Sequence, residues 1–496
     1  MCNLTQLLLI CADNPYEGHI IQIIVFQGES DVAFLRARYK FILCTLLLAG
    51  IATTSQAGVF ESINPVTAAP VRWMNPQAIP YNLDDGTLGQ LNAQQAQDLV
   101  EAMMAVWENE GGGAIHFVNQ GSLGIDVDSN NMKDFVNGSV CASNIPPKIA
   151  SMIKGQSPII FDNDGSIIDA MSGEGSSRRI VGKAAFRCFK GTLGNPEGAT
   201  QAFLILNGRF IDGLPDPIDL PVNVYAGVVL HELGHYLGLH HSMVNSDIYE
   251  DVLEGKRPSE DSKYIPVMYP LILPNSIAST VLKPDDTSIL QTLYPTSDQA
   301  PQGVASGTIV GTDNEPTLGA NVVARRSDDP LCQAISTVSG RECTPMIDSF
   351  NNPNVLSEKC SSKDQFGNYK IRGLSEGDYT VEVNEIVEAG GGRSNMFPKG
   401  LGQDLPGEPQ IIPSPIRIAG SEVRELNFKL TPAVEEHQTG IDMSIFMRAS
   451  QSECHLDPVN YSEFLAVGNS SLVDSSSSSS APAPSATPTA GCSLIR

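Results

Sequence analysis

The apolar positions Ala96, Leu99, Val100, Met103, Val106 and Trp107 recur every three or four residues, which predicts a helix with one face on a core. Asn92, with Gln95 three residues later, reads as the capping box that opens it, and Gly111 to Gly113 end it. On the N-terminal side Val71 to Leu83 alternates as a strand does, carrying Trp73, Ile79 and Tyr81. Ala114 to Val118, Pro158 to Phe161 and Gln201 to Leu206 read as further short strands. A second long helix starts near Asp219 and Pro221, a cap and first-turn pair, and runs through Val228, Val229 and Leu230 into His231. One more is expected from Pro284 to Leu293, closing at Pro295. This mixture predicts an α/β or α+β domain over residues 58–296.

Ser297 to Val304 is a polar linker bearing Pro and Gly, and beyond it the apolar runs shorten. Gly307 to Val310, Ala320 to Ala324, Tyr369 to Ile371, Tyr379 to Val383 and Leu426 to Leu430 read as strands. Gly367-Asn368 and Gly377-Asp378 are turn signals between them. Such a pattern predicts an all-β sandwich over residues 302–432. Residues 433–469 are an extension without a clear pattern, and the Ser, Ala, Pro and Thr residues of 470–496 read as a disordered tail.

Near the other end, Arg36, Arg38 and Lys40 flank the apolar run Phe41 to Ala52, and Ser55-Gln56-Ala57 puts small residues at cleavage offsets. A run of 12 is too short to span a bilayer and matches a signal-peptide core. Residues 1–57 are therefore expected to be an N-terminal extension and signal peptide, cleaved after Ala57, and the mature protein to be secreted and extracellular. Residues 1–34 point to a translation start placed too early, with the true start at a non-Met codon near Val32 or Leu35, or else to an extended leader with a second short apolar segment, Leu7 to Ile10. Export leaves Cys141, Cys188, Cys332, Cys343, Cys360, Cys454 and Cys492. The first two and the next four can form one and two disulfides without crossing domains, and Cys492 is left over.

The length of 496 residues fits two or three folded units, and 41% hydrophobic against 18% charged residues fits packed cores. With 31 Lys+Arg against 56 Asp+Glu the formal charge is -25, which argues against nucleic acid as a partner. Loop carboxylates can also hold Ca2+.

The chemistry concentrates in His231-Glu232-Leu233-Gly234-His235-Tyr236-Leu237-Gly238-Leu239-His240-His241, which contains four of the chain's eight histidines. On a helix, positions i and i+4 differ by about 40°, so His231 and His235 can share one metal. Gly238 lets the chain leave the helix through a conformation costly for other residues, and the turn returns His241 as a third ligand, with His240 its competitor. Three nitrogens leave a fourth position open, the catalytic arrangement of zinc. Zn2+ there makes a bound water acidic and polarises a scissile carbonyl, and Glu232 is placed as the general base.

This motif resembles that of the metzincins, zinc endopeptidases with a methionine-containing turn beneath the metal. Pro266-Val267-Met268-Tyr269-Pro270, with 26 residues between His241 and Met268, is similar to that turn, and its Met-Tyr-Pro order looks like matrixins specifically. Leu282-Lys283-Pro284-Asp285-Asp286 with Gln291, Leu293 and Tyr294 is similar to the closing helix of matrixin catalytic domains. The resemblance implies an α+β metzincin-type fold, a mixed sheet with an active-site helix, and internal cleavage of protein or peptide substrates. It also implies Met268 as the floor of the site, without ligating the metal, and Tyr269 and Pro270 in a wall of the S1′ pocket. The chain departs from the matrixin pattern in places. Little chain separates Ala57 from Trp73 for a cysteine-bearing propeptide, and His116 is the only other histidine in the domain, so the usual structural-zinc histidines are missing. Asp162-Asn163-Asp164-Gly165, with Asp169 downstream, reads either as a calcium loop, not of EF-hand length, or as a plain turn.

Gly307-Thr308-Ile309-Val310, Gly319-Ala320-Asn321-Val322, Gly367-Asn368-Tyr369-Lys370-Ile371 and Gly377-Asp378-Tyr379-Thr380-Val381 resemble carboxypeptidase-regulatory-like β-sandwiches. That implies an accessory module, in contact with glycan or protein at a cell surface. Gly491-Cys492-Ser493-Leu494 resembles the front of bacterial C-terminal surface-sorting signals, against a frayed tail as the plain reading. The expected function is a secreted zinc metalloendopeptidase. The alternative is a catalytically vestigial protein that binds glycan or protein through its β-sandwich.

Overall fold

The computed structural model describes residues 60–136, 156–386 and 405–432 apart from gaps at 193–194, 218, 275, 277–279, 298–301, 344–361, 406 and 413, together with Gln6–Ala12, Ile20–Phe26 and Cys454. The chain divides into two compact units, Met1–Thr54 and Ser55–Arg496. In the first, strands β1 (Gln6–Ala12) and β2 (Ile20–Phe26) form an antiparallel hairpin, and Leu7 to Ile10 lie on β1. The signal segment expected between Arg36 and Ala57 lies outside the described residues, as do Cys141, Cys360, Cys492 and the Ser/Pro-rich tail.

The second unit begins with a five-stranded sheet of β3 (Ile79–Leu83), β4 (Phe117–Ser122), β5 (Pro158–Asp162), β6 (Gly182–Thr192) and β7 (Asn195–Asn207). Its spatial order is β4-β3-β5-β7-β6; all neighbours are parallel except β6, which runs antiparallel along one edge. Alternate residues go to opposite faces, as the pleat requires. Ile159, Phe161, Leu204 and Leu206 enter the main core, while Ile160, Phe203 and Ile205 enter a smaller one on the other side. The helices that frame the site are α1 (Ala93–Glu110), α2 (Ser166–Ser172), α3 (Val222–Leu237), α4 (Ser246–Leu253) and α5 (Pro284–Leu293).

Helix α1 opens as its sequence predicts: the Asn92 side chain accepts from Gln95 N at 3.1 Å, and the Gln95 side chain accepts from Asn92 N at 3.1 Å. It buries Ala96, Leu99, Val100, Met103, Met104 and Trp107. Helix α3 is of a different kind, buried on every side from Val224 to Leu237. A helix that is apolar all round runs through a domain rather than over it. Trp107 joins the two, fully buried, its indole Nε1 donating to the Leu230 carbonyl at 2.9 Å.

Several elements differ from expectation. The strand expected over Val71 to Leu83 is regular only from Ile79, because Pro76–Ala78 form a 3-10 turn ahead of it. The strand expected at Ala114 begins at Phe117, since the amides of Ala114 and His116 are taken by the carbonyls of Gly111 and Pro76. The helix expected near Asp219 starts at Val222, and the Asp219 carboxylate instead accepts from Gly213 N at 2.8 Å. The long hairpin of β6 and β7 is legible in sequence only at its buried end, because its outer half carries Lys, Gly and Asn.

Residues after 302 form two further sheets, whose strands pair only with each other among the described residues. One contains β9 (Asn321–Arg326), β10 (Ala334–Val338), β12 (Gly377–Asn384), β13 (Gln410–Ile411) and β14 (Ile416–Ile418). The other contains β8 (Gly303–Val310), β11 (Asn368–Leu374), β15 (Val423–Glu425) and β16 (Phe428–Lys429). Gly377-Asp378 is not a turn but the start of β12. Val322, Ala324 and Val381 of one sheet share a core with Ala305, Ile309 and Ile371 of the other. A disulfide joins Cys332 to Cys454, and Cys188 and Cys343 are also disulfide-bonded. No helix among the described residues is long and apolar enough to cross a membrane.

Because Trp107 is fully buried and ties α1 to α3, Trp107→Ala should lower the unfolding free energy by about 3–5 kcal/mol. Denaturant unfolding of the metal-free protein measures it, and a loss below about 1 kcal/mol would show that the two helices are joined by other contacts.

Candidate metal centre

Helix α3 presents His231, Glu232 and His235 in its last turns and ends at Gly238, whose φ of 95° is left-handed. The amide of Leu239 returns to the Gly234 carbonyl at 2.9 Å, and that reversal brings His241 back to the helix. One ligand atom from each of His231, His235 and His241 lies within 4.8 Å of the others. The Nε2 atoms of His231 and His235 are 3.1 Å apart, and those of His235 and His241 are 3.2 Å apart. His240 does not join them: its Nδ1 accepts from the His241 amide at 2.6 Å.

The residues fit a divalent metal on their own chemistry. His231 Nδ1 is 2.7 Å from the Val267 carbonyl and His235 Nδ1 is 2.8 Å from the Leu239 carbonyl. A carbonyl only accepts, so both Nδ1 atoms carry protons, and in the neutral ring each Nε2 then offers a lone pair. Lone pairs facing each other at 3.1 Å repel unless a cation lies between them. Burial pulls His231 down to about 3, helped by His235, and holds His241 well below the ordinary imidazole value. Both are thus in the neutral, ligating form. At His235 burial also acts downward, but the Glu61 carboxylate, 3.6 Å from its Nδ1, and the charge of Glu232 outweigh it and raise the value.

Glu232 is 1% exposed and lies on α3 beside the triad. Gly182, the first residue of edge strand β6, faces it: a Cβ there would come within 2.6 Å of Glu232 Cγ. The neighbouring Lys183 is buried, donates to Ser172 Oγ at 2.6 Å, and is brought down to about 8 by burial against the opposing charge of Glu232. Beneath the ligands, Met268 is fully buried against Gly234, where a Cβ would overlap its sulfur. Asp286 of α5 holds this turn, accepting from Val267 N at 3.0 Å and Met268 N at 2.9 Å. The Met268 carbonyl in turn accepts from the Ser242 amide at 2.8 Å, next to His241.

A cavity opens beside the triad, lined by His231, Val224, Val228, Val267, Tyr269 and Leu273 among others. Tyr269 lines it and packs on Tyr249 of α4, with ring centroids 4.7 Å apart; of the prolines of this turn Pro266 lines the cavity and Pro270 does not. The three aspartates considered for calcium have other partners. Asp162 accepts from the amides of Ile167 and Ile168, Asp164 from Ser166, and Asp169 from Ser177, so they shape α2 and the turn after it. Among the described residues the histidine triad is the one group whose ligand atoms converge as a metal requires. His116 is exposed and pairs with Glu108 at 3.0 Å.

Residues 72–265 match the matrixin family model. The matrixin match and the triad together support a zinc metalloprotease, and the mixed sheet with its buried helix is consistent with the matrixin fold. No curated protein matches the chain. Among solved structures, BcpA, the major pilin subunit of Bacillus cereus, aligns at 12% identity with a TM-score of 0.15. The alignment covers 27% of this chain and 31% of the pilin, so the chain spans under a third of that protein.

Sequence reasoning named the three histidines that converge and the Met268 turn, but no role for Glu61, Gly182, Asp285 or Asp286. Asp285 and Asp286 were visible only as part of a family-like string. Nothing local marks Gly182, whose role is a distance across the fold.

Ligand choice is tested by paired variants. His241→Ala should abolish stoichiometric zinc uptake, whereas His240→Ala should retain it; metal content after dialysis reads the difference, and equal loss in both would show that the third ligand is misassigned. At Gly182, substitution by Ala should displace Glu232 while leaving the ligands alone. Zinc content should hold and kcat should fall by roughly 10²-fold, the cost of an ångström-scale misplacement; an unchanged kcat would exclude this contact as a constraint on Glu232.

Proposed function

We propose that this protein is a zinc-dependent endopeptidase that hydrolyses internal bonds of proteins or peptides, with Glu232 as general base. The observation that carries the reading is the position of a buried carboxylate, Glu232, next to three convergent imidazoles, one of which, His231, lines an apolar cavity. Zinc, when held by His231, His235 and His241, supplies Lewis acidity to the scissile carbonyl and to a water molecule. Glu232 takes a proton from the attacking water and passes it to the leaving amine. Gly182 and the packing around α3 keep that carboxylate in place, and Asp286 keeps the Met-turn closed below. The cavity walls, Val224, Val228, Val267 and Leu273, favour an apolar substrate side chain, and Tyr269, packed on Tyr249, lines the cavity beside them.

The same reading includes export. The Cys332–Cys454 disulfide supports an oxidising compartment, in keeping with the leader expected before Ala57. For the region after 302 we favour a β-sandwich, because residues of two separate sheets share one core. Glycan contact is left out of the reading: among the described residues the second domain exposes Val423 as its large apolar side chain and no aromatic ring on which a sugar could stack.

Glu232→Gln should retain zinc and lose at least about 10²-fold in kcat on a quenched peptide, and a zinc chelator should abolish wild-type cleavage. Zinc-loaded Glu232→Gln with full turnover would refute the mechanism.

A further inference from the structure

The loop that carries the third ligand, residues 241–245, contains no helix or strand. A loop without regular structure takes its geometry from whatever bonds its side chains and carbonyls. Here three of those bonds come from the second domain, from Arg325, Asn321 and Leu331. Arg325 of β9 donates Nε and Nη2 to Glu382 of β12 at 2.9 and 2.8 Å, and extends Nη1 to the Oδ1 of Asn245 at 2.7 Å. Asn245 sits in a left-handed conformation, φ 61°, and its Nδ2 donates to the carbonyls of Tyr264 at 2.7 Å and Leu331 at 3.0 Å. Asn321 donates to the Met243 carbonyl at 3.2 Å, and Val244 packs on Val323 and Ala334.

Two more contacts reach the ligands from other directions. Ser336 of β10 donates its amide to Asp285 at 2.6 Å and its hydroxyl at 3.2 Å, and Asp285 also bonds the side chain of Ser242, which follows His241 directly. Arg341 donates to the carbonyls of Phe60 and Glu61, and the Glu61 carboxylate lies 3.6 Å from Nδ1 of His235. Arg325, Ser336 and Arg341 are each 2–3% exposed. Water cannot replace them, and their polarity is costly to bury for adhesion alone. Their bonds end on three segments that touch the metal ligands.

We propose that the second domain is part of the metal centre, with Arg325 and Ser336 acting as positioning residues that fix the loop bearing His241. The proposal rests on the zinc reading of the triad. Groups that orient metal ligands typically account for 10- to 100-fold in metal affinity. The domain thereby links the occupancy and geometry of the site to its own folding, although none of its residues touches the substrate cavity.

The test uses the full chain. Arg325→Met/Glu382→Leu replaces the ion pair by apolar side chains of similar volume, which leaves no lone buried charge. Ser336→Ala removes one hydroxyl. Zinc affinity is measured by competition with a chromophoric chelator, kcat and KM on a peptide substrate, and folding by thermal melting of the zinc-free protein. The double variant should melt cooperatively, bind zinc about tenfold more weakly and lose kcat with little change in KM. Ser336→Ala should shift affinity in the same direction by a smaller factor. A cooperatively folded double variant with wild-type zinc affinity and kcat overturns the proposal. Should the double variant not fold, unchanged affinity in Ser336→Ala overturns it equally. A wild-type chain that takes up no zinc refutes instead the reading of the triad.

Discussion

Three neutral imidazoles have to present lone pairs to one point in a place almost closed to water, and the surrounding structure is arranged around that requirement. Burial first, and then the neighbouring histidines, drive His231 and His241 to their neutral form, because a charge there would lose its hydration and face other imidazoles. This does not orient them. Orientation comes from the carbonyls of Val267 and Leu239, which bind the protons on Nδ1 and so turn the bare Nε2 atoms inward. One carbonyl belongs to the Met-turn and the other to the reversal after Gly238. A change in either segment therefore reaches the metal ligands through a hydrogen bond rather than through bulk packing.

The helix that supplies two of the ligands is held in a correspondingly strict way. Its apolar residues are covered on all sides, by the sheet, by α1 through Trp107 and by the Met-turn against Gly234. Close approach at Gly234 and Gly182 leaves the functional side chains little freedom, since a methyl group at either position would displace Met268 or Glu232. Tight packing transmits such changes instead of absorbing them. The adjacent carboxylates of α5 divide the remaining work between them. Asp286 binds the Met-turn amides, and Asp285 binds Ser336 of the second domain, so one short helix spans from beneath the ligands to the neighbouring sheet.

Buried charge gives the junction between the two β-bearing regions its character. The Arg325–Glu382 pair is desolvated and contributes little as adhesive, yet it fixes the position of Asn245 in a way that an apolar contact does not. Burial pushes Asp285 up to about 7, even with hydrogen bonds from Ser242 and Ser336 acting against it. A carboxyl whose folded value lies above its unfolded one is most stabilising in its protonated form, so this contribution is full in acid and is lost as the pH rises through about 7.

By itself the sequence determined the parts whose signals are local. Helical spacing in α1, its capping box, the i and i+4 histidines, Gly238 and the Met-turn string are each written within a dozen residues, because hydrogen bonds and side-chain facing inside one element depend only on near neighbours. Short strands with buried faces were legible for the same reason, while the charged outer half of β6 and β7 was not, its pairing being set by the partner strand. Tertiary structure alone decided that Asp162, Asp164 and Asp169 cap backbone amides, that Gly182 confines Glu232, and that a stretch resembling a linker leads into a domain bonded to the third ligand's loop. The last two are distances between residues far apart in the chain, fixed when separate cores close on one another, and no periodicity or motif records them; the aspartate contacts are local, but the string alone left a turn and a calcium loop both open.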